Sequence, residues 1–150
     1  MRKKAACGLT LLEVTIALGI IILMSTGILL SVRGVERRNL HNASLALQAD
    51  LRYAQRRAIS EGQAFRVVFE LVNNRYTIQT NVFPPEVVRR VSLPEGITLE
   101  SVGNGNDVIF HPRGTPSRAF TILLRSESYQ QALTIIPSGG RVRIDEIEPA

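Results

Sequence analysis

Few residues of this 150-residue sequence have the types and spacing that catalysis or metal binding requires. The two histidines, His41 and His111, lie far apart, and neither has a cysteine or a second histidine at ligand spacing. A glycine-rich stretch holds Asn104, Asn106 and Asp107, whose oxygens could bind calcium. Because it offers one carboxylate where useful sites have more, a hairpin loop is the preferred interpretation. We therefore expect no catalytic residue, no metal and no cofactor.

Two arginines near the C-terminus have a spacing that suits anion binding. Arg141 and Arg143 alternate with Val142 and Ile144, so both guanidiniums would emerge on one face of a strand. Guanidinium groups can bind phosphate through paired hydrogen bonds. The alternative is a solvated strand face whose arginines pair with the acids that follow them, Asp145, Glu146 and Glu148.

The overall charge does not by itself indicate a nucleic-acid partner. The chain has 18 basic and 13 acidic residues, a formal net charge of +5. Three of the basic residues, Arg2, Lys3 and Lys4, precede an apolar run, which leaves 15 against 13 and a net charge of +2. That excess is too small to indicate a polyanion partner. The single cysteine, Cys7, lies in the same leader, so the outer part of the chain has no disulfide.

Glu13 stands at the mouth of the apolar run, where a carboxylate is costly. Residues 14–32 contain no Asp, Glu, Lys or Arg. At about 1.5 Å per residue they would form a helix of roughly 28 Å, close to the hydrocarbon thickness of a bilayer. An ordinary cleaved signal peptide has a shorter apolar stretch, and a plain membrane anchor explains neither Gly8 nor Glu13. The carboxylate is either tolerated at the headgroups or has a function.

Beyond the apolar run, the spacing of apolar residues predicts that the helix continues. Six residues fall on one narrow helix face: Leu40, Ala43, Leu47, Leu51, Ala54 and Ala58. Charged residues fall mostly elsewhere around the helix, including Arg37, Arg38, Asp50, Arg52, Arg56 and Arg57. Gly62 suits a C-terminal cap. One unbroken helix over 9–61 would be about 80 Å long; the alternative is two helices divided near Arg33-Gly34.

After Gly62 the pattern becomes that of β-strands. Residues 64–72 and 75–81 predict a β-hairpin with Asn73-Asn74 at its turn. Further strands are predicted at 87–92, 97–102, 107–111, 119–125, 131–136 and 141–147, separated by segments rich in glycine and proline. The predicted fold class is α+β, a long N-terminal helix packed on a C-terminal antiparallel β domain.

The leader ends at Gly8 and is followed by Leu-Thr-Leu-Leu-Glu and then the apolar helix. This order resembles the class III signal of type IV pilins and type II secretion pseudopilins. The resemblance implies cleavage between Gly8 and Leu9 by a prepilin peptidase and N-methylation at Leu9. It also implies assembly through Glu13, which would pair with the terminal amine of a neighbouring subunit. Leu9 departs from the phenylalanine that is usual in the family.

Three later stretches, LQADLRYAQRRAISEGQAFRVVF, IFHPRGTPS and IIPSGGRVRI, resemble the GspH/FimT group of minor pilins and pseudopilins. The resemblance implies a pilin-like fold in which the inner half of the long helix is transmembrane. The chain would then have four segments: a cleaved leader (1–8), a transmembrane or filament-core helix (9–32), an amphipathic outer helix (33–61) and an antiparallel β domain (62–150).

The function that this resemblance implies is that of a non-catalytic filament subunit of a type II secretion or type IV pilus machine. Its partners would be the prepilin peptidase, other pilins or pseudopilins, and the inner-membrane assembly platform. The chain would cross the cytoplasmic membrane once, with its N-terminus inside and its β domain outside. It would enter a periplasmic or cell-surface filament.

Two alternatives stay open. Gly140-Arg141-Val142-Arg143 matches a Gly-Arg-x-Arg signature of DNA-binding members, which implies a minor pilin of a DNA-uptake pilus. Arginines at 33, 37, 38, 52, 56 and 57 could extend such a basic surface, or serve as headgroup and intersubunit contacts. The third interpretation is an unprocessed, membrane-anchored β domain.

Overall fold

The computed structural model describes residues 10–102 and 105–150, with the side chains of all but 24–33 and 101–102. Helix α1 runs from Leu11 to Glu61 and is followed by β-strands. Contacts divide the chain into unit 1, up to Val35, and unit 2, from Glu36 to Ala150. The predicted cleavage site at Gly8 and Leu9, and Asn104, lie outside the described residues.

Unit 1 consists, in its described part, of Thr10 and the first half of α1. Its large apolar side chains between Leu11 and Leu23 are exposed. Within the described residues, no helical stretch is both long and apolar enough to cross a membrane. Part of the predicted transmembrane segment 9–32 lies outside the described residues, namely Leu9 and the side chains of 24–32.

In unit 2, α1 buries the face that the apolar spacing predicts. Every member of the predicted stripe is buried: Leu40, Ala43, Leu47, Leu51, Ala54 and Ala58. Burial of each leucine contributes about 1.5–3 kcal/mol relative to exposure. The stripe therefore fixes which side of α1 faces the β domain.

Two antiparallel sheets lie against this helix face. Sheet A has the strand order β3 (Val87–Ser92), β2 (Arg75–Thr80), β1 (Phe65–Glu70) and β5 (Asp107–Phe110). Sheet B has the order β4 (Thr98–Val102), β6 (Phe120–Arg125), β7 (Tyr129–Ile136) and β8 (Arg141–Ile144), and β9 (Glu148–Pro149) pairs with β7. The predicted α+β fold is confirmed, and each predicted strand corresponds to one of β1 to β8, whereas β9 was not predicted.

Alternating side chains of the two sheets fill the core. In β1 the buried residues are Phe65, Val67 and Phe69, and in β6 they are Phe120, Ile122 and Leu124. Phe69 of sheet A stacks on Phe120 of sheet B with ring centroids 5.3 Å apart. The period of two along each strand thus places one face of both sheets in a shared core beneath α1.

Two strand ends differ from the sequence prediction. The first hairpin turns through a short 3₁₀ helix, Leu71–Asn73, with Asn74 at φ 45°, a left-handed conformation that asparagine tolerates. The predicted strand 141–147 stops at Ile144. There the Gln131 side-chain amide donates to the Asp145 carbonyl oxygen (2.9 Å), so a side chain replaces the next bond of the strand ladder.

Asp50 belongs to the charged set that is predicted to fall mostly elsewhere around α1 than the apolar stripe, yet it is buried. Only 6% of the surface of Asp50 is exposed. Tyr76 Oη donates to Asp50 Oδ2 (2.7 Å), and Arg89 Nη1 donates to Asp50 Oδ1 (2.7 Å). Burial, followed by the hydrogen bond to Asp50, raises the pKa of Tyr76. A carboxylate is tolerated here because both of its oxygens have partners from sheet A.

Candidate functional site

The predicted assembly residue Glu13 lies in the first turn of α1, in unit 1. Its backbone N–H donates to the Thr10 carbonyl oxygen (3.0 Å) and to Thr10 Oγ1 (3.3 Å). Threonine followed three residues later by glutamate is a capping-box sequence, and a carboxylate there also interacts favourably with the helix dipole. The carboxylate itself is exposed and has no hydrogen bond or ion pair with any described residue.

The predicted anion-binding pair, Arg141 and Arg143, lies on β8. Both side chains are exposed, whereas Val142 between them is buried at 5% exposure, so the predicted alternation is confirmed. Arg143 Nε lies 3.0 Å from Asp145 Oδ1, one of the acids expected as an alternative partner. Because the Arg143 side chain is 72% exposed, this ion pair contributes little. Arg141 has no ion pair or hydrogen bond within the part of the chain described.

Two glutamines of α1 hold the helix against the β domain, one at β8 and one at the turn between β5 and β6. Gln48 Nε2 donates to the Val142 carbonyl oxygen (2.9 Å), and Gln55 Nε2 donates to the Gly114 carbonyl oxygen (2.7 Å). Gly140, at φ 63°, passes directly beside the second of these bonds. A Cβ added to Gly140 would collide with Gln55 Nε2 and lie 2.5 Å from the Gly114 oxygen. The glycine before Arg141 is therefore required by packing.

Replacing Gly140 with alanine is expected to destabilise unit 2 by about 2–3 kcal/mol, since the left-handed conformation costs an alanine about 1–2 kcal/mol and the collision adds to it. Gly62 is the matched control, because it has φ 64° and open space around its Cβ position. Gly62→Ala should show the conformational cost alone. Thermal unfolding followed by circular dichroism measures both, and equal losses would contradict the packing role of Gly140.

A groove opens between α1 and β8, with a volume of about 680 Å³. Four arginines line it, Arg52 and Arg56 from the helix and Arg141 and Arg143 from the strand. The other lining residues are uncharged: Gln55, Ile136, Gly139, Gly140 and Val142. We call this the arginine groove. It brings together the two predicted arginines and two of the six helix arginines that the sequence set apart.

Arg52 and Arg56 are exposed on α1 and have no hydrogen bond or ion pair among the described residues. They lie four residues apart, so they are neighbours on the helix surface, and like charges at this spacing destabilise a helix by a few tenths of a kcal/mol. The arrangement therefore concentrates positive charge without a structural benefit to the helix.

The other helix arginines do not join the groove. Arg57 forms an ion pair with Glu61 and donates to Tyr53 Oη (3.1 Å), and these bonds, that to Tyr53 first, raise its pKa. Arg37 and Arg38 lie more than three turns earlier on α1, and the Arg33 side chain is outside the described set. Sequence spacing alone could not separate these residues, because all of them lie off the buried stripe.

The two histidines and Asp107, the remaining candidates from the sequence, show no arrangement suited to metal binding among the described residues. His111 lies in a turn, where its N–H donates to the Thr115 carbonyl oxygen (2.9 Å) and its carbonyl oxygen accepts from Gly114 N–H (2.8 Å). His41 is exposed on α1. Asp107 lies 2.9 Å from Arg118 Nη2 and 3.4 Å from Arg66 Nε. The described residues contain no group of three or more side chains suited to holding a metal ion.

Solved structures share this fold. The minor pseudopilin EpsH of the Vibrio cholerae type 2 secretion system has a TM-score of 0.62 and 17% identity, covering 71% of this chain and 96% of its own. The type IV minor pilin FimU of Pseudomonas aeruginosa has a TM-score of 0.64 and 19% identity, covering 74% and 91%. A search of curated proteins found no match.

An N-terminal helix packed on antiparallel sheets is thus a fold that this chain shares with a minor pseudopilin and a minor pilin. The family model described as type II transport protein GspH matches residues 43–140, more than half of the sequence. The chain belongs to the GspH family, as the stretches beginning at Leu47 and Ile109 predict.

Proposed function

We propose that this protein is a minor subunit of a type II secretion or type IV pilus filament. The observation that carries the proposal is the family match over 43–140, and the shared fold of a secretion pseudopilin and a pilus subunit supports it. The subunit is stored in the cytoplasmic membrane by segment 9–32, with segments 33–61 and 62–150 outside. It leaves the membrane to assemble with other pilins on the inner-membrane platform.

In this proposal, prepilin peptidase cuts between Gly8 and Leu9, and Leu9 is then methylated. Glu13 is the assembly residue and pairs with the terminal amine of a neighbouring subunit. The carboxylate of Glu13 is exposed and has no partner among residues 10–102 and 105–150, which supports this role. An ion pair formed in a low-dielectric filament core is strong, and an unpaired charge there is costly.

Two substitutions of Glu13 separate assembly from helix capping. Glutamine can still act in a capping box but lacks the charge, whereas valine lacks both. Both Glu13→Gln and Glu13→Val should therefore insert in the membrane and be cleaved but fail to enter the filament. Crosslinking of sheared filaments, with the wild-type chain as control, measures incorporation. If Glu13→Gln enters the filament at the wild-type level, the role of Glu13 is confined to capping the start of α1.

A second candidate function is contact with DNA through Arg141 and Arg143, as in a DNA-uptake pilus. One observation favours it: Arg141 is exposed and unpartnered among the described residues, and it faces a groove lined by three further arginines. The two functions are compatible, since the groove lies in unit 2 and the assembly determinants lie near Glu13. The third interpretation, an unprocessed anchored domain, predicts an uncut N-terminus.

A further inference from the structure

We propose that Arg52 and Arg56 of α1 are phosphate-binding residues. Together with Arg141 and Arg143, they make the arginine groove a two-sided cradle for the backbone of one nucleic acid strand. This inference rests on the second candidate function, contact with DNA, and extends it to residues outside the Gly-Arg-x-Arg sequence. The groove is concave and is lined from both sides by arginine.

The two rows of arginine have similar spacing. Helix residues four apart have Cβ atoms about 5–6 Å from each other, and strand residues two apart are separated by about 6.6 Å. Each row can therefore bind two successive phosphates, because guanidinium side chains are long and bind phosphate with two parallel hydrogen bonds. A strand lying along the groove would place its phosphates between the rows and its bases outward.

The charges of the groove are free to bind, unlike most arginines of the β domain. Five arginines elsewhere in the β domain form ion pairs with acids: Arg66, Arg75, Arg89, Arg118 and Arg125. Arg90 and Arg113 form none among the described residues. In the groove, Arg52, Arg56 and Arg141 have no such partner among the described residues. Only Arg143 has one, and an exposed pair of this kind is easily exchanged for a phosphate. A net charge of only +2 outside the leader therefore conceals a local concentration of four positive charges.

Hydrogen bonds between α1 and the β domain explain why the groove can hold a ligand without rearranging. The Gln48 and Gln55 amides fasten α1 to Val142 and Gly114, so the two arginine rows are fixed to one rigid body. A site whose geometry exists before binding avoids the entropy cost of ordering it. The concavity favours a nucleic acid strand over a lipid surface, since a bilayer would approach a flat or convex basic face more readily.

Salt dependence of DNA binding tests this inference with the full-length chain in a neutral detergent. The probe is a short fluorescein-labelled single-stranded oligonucleotide of mixed sequence, followed by fluorescence anisotropy. Four contacts, each releasing about 0.7 counterion, predict binding about 50-fold weaker at 200 mM salt than at 50 mM. Arg52→Gln/Arg56→Gln should reduce that change to about 7-fold, and Arg141→Gln/Arg143→Gln should do the same. All four side chains are exposed, so melting temperatures should be unchanged.

Arg37→Gln/Arg38→Gln is the matched control, because it removes two exposed charges from the same helix outside the groove. It should keep the 50-fold change. If it reduces the change as much as Arg52→Gln/Arg56→Gln does, the effect is one of overall charge and the cradle is wrong. If only the strand pair matters, the helix residues are not ligands, although contact with DNA stands. Absence of binding by the wild-type chain overturns both. Equal affinity for anionic phospholipid vesicles overturns the choice of nucleic acid.

Discussion

Replacing Asp50 of α1 with alanine is expected to lower the free energy of unfolding of unit 2 by about 3–4 kcal/mol, because it breaks a buried, hydrogen-bonded charge pair. The Asp50 carboxylate accepts one bond from Tyr76 Oη and one from Arg89, each 2.7 Å long. Its loss leaves the hydroxyl of Tyr76 buried without its acceptor, which alone costs about 1–3 kcal/mol. Arg89 is half exposed and can return to solvent.

Urea unfolding of the full-length chain in neutral detergent measures this loss. Glu100→Ala is the control, because Glu100 also pairs with an arginine, Arg125 at 3.3 Å, but on an exposed part of sheet B. An exposed pair contributes about 0–1 kcal/mol, so this control should remain close to the wild type. Both substitutions remove one carboxylate from one ion pair, so the difference between them measures the burial of Asp50 together with its hydrogen bond from Tyr76.

A double-mutant cycle with Tyr76→Phe shows whether the two side chains act as a unit. Phenylalanine removes the hydroxyl that Asp50→Ala would strand, so Asp50→Ala/Tyr76→Phe should cost about 1–2 kcal/mol less than the two single losses added together. Additive losses would mean that the hydrogen bond between Tyr76 and Asp50 does not carry the effect, and the destabilisation would then belong to Arg89 or to packing.

The fold was predictable where a regular pattern repeats. The stripe from Leu40 to Ala58 follows the period of a helix, and its burial follows from that period alone. The strands of both sheets follow alternation and turn residues in the same way. Asp50 was not predictable, because a carboxylate next to Leu51 indicates an exposed position unless its partners are known. Those partners, Tyr76 and Arg89, lie in β2 and β3.

The candidate site was predictable in part for the same reason. Arg141 and Arg143 are two residues apart, so a local rule places them on one face. Arg52 and Arg56 are about 90 positions away, and their approach to β8 depends on Gln48, Gln55 and the missing side chain of Gly140. A glycine of positive φ preceding two arginines, and two glutamines seven residues apart on a helix, are individually common. Together they indicate a groove only once the positions of β8 and α1 in the folded structure are known.

Replacing Gly8 with valine is expected to abolish maturation completely. The order of the basic leader, Gly8 and Glu13 resembles that of a class III signal, and a residue without a side chain allows the backbone to lie close against a peptidase. A β-branched valine prevents that approach and is stiff as well. Mass spectrometry of membranes should find the wild-type chain beginning at methylated Leu9, and the variant retaining the leader.

Gly19→Val is the matched control, because it introduces the same side chain into α1 at a position with open space around it. It lies beyond the cut, so cleavage should proceed as in the wild type while the helix gains the same β-branched residue. An intact leader in both variants would assign the defect to membrane insertion. A wild-type chain that keeps Met1 in cells containing the peptidase would favour the anchored, unprocessed domain. If the wild type and Gly19→Val are cleaved and Gly8→Val is not, the peptidase recognises Gly8. Cleavage then precedes any role of Glu13 in assembly.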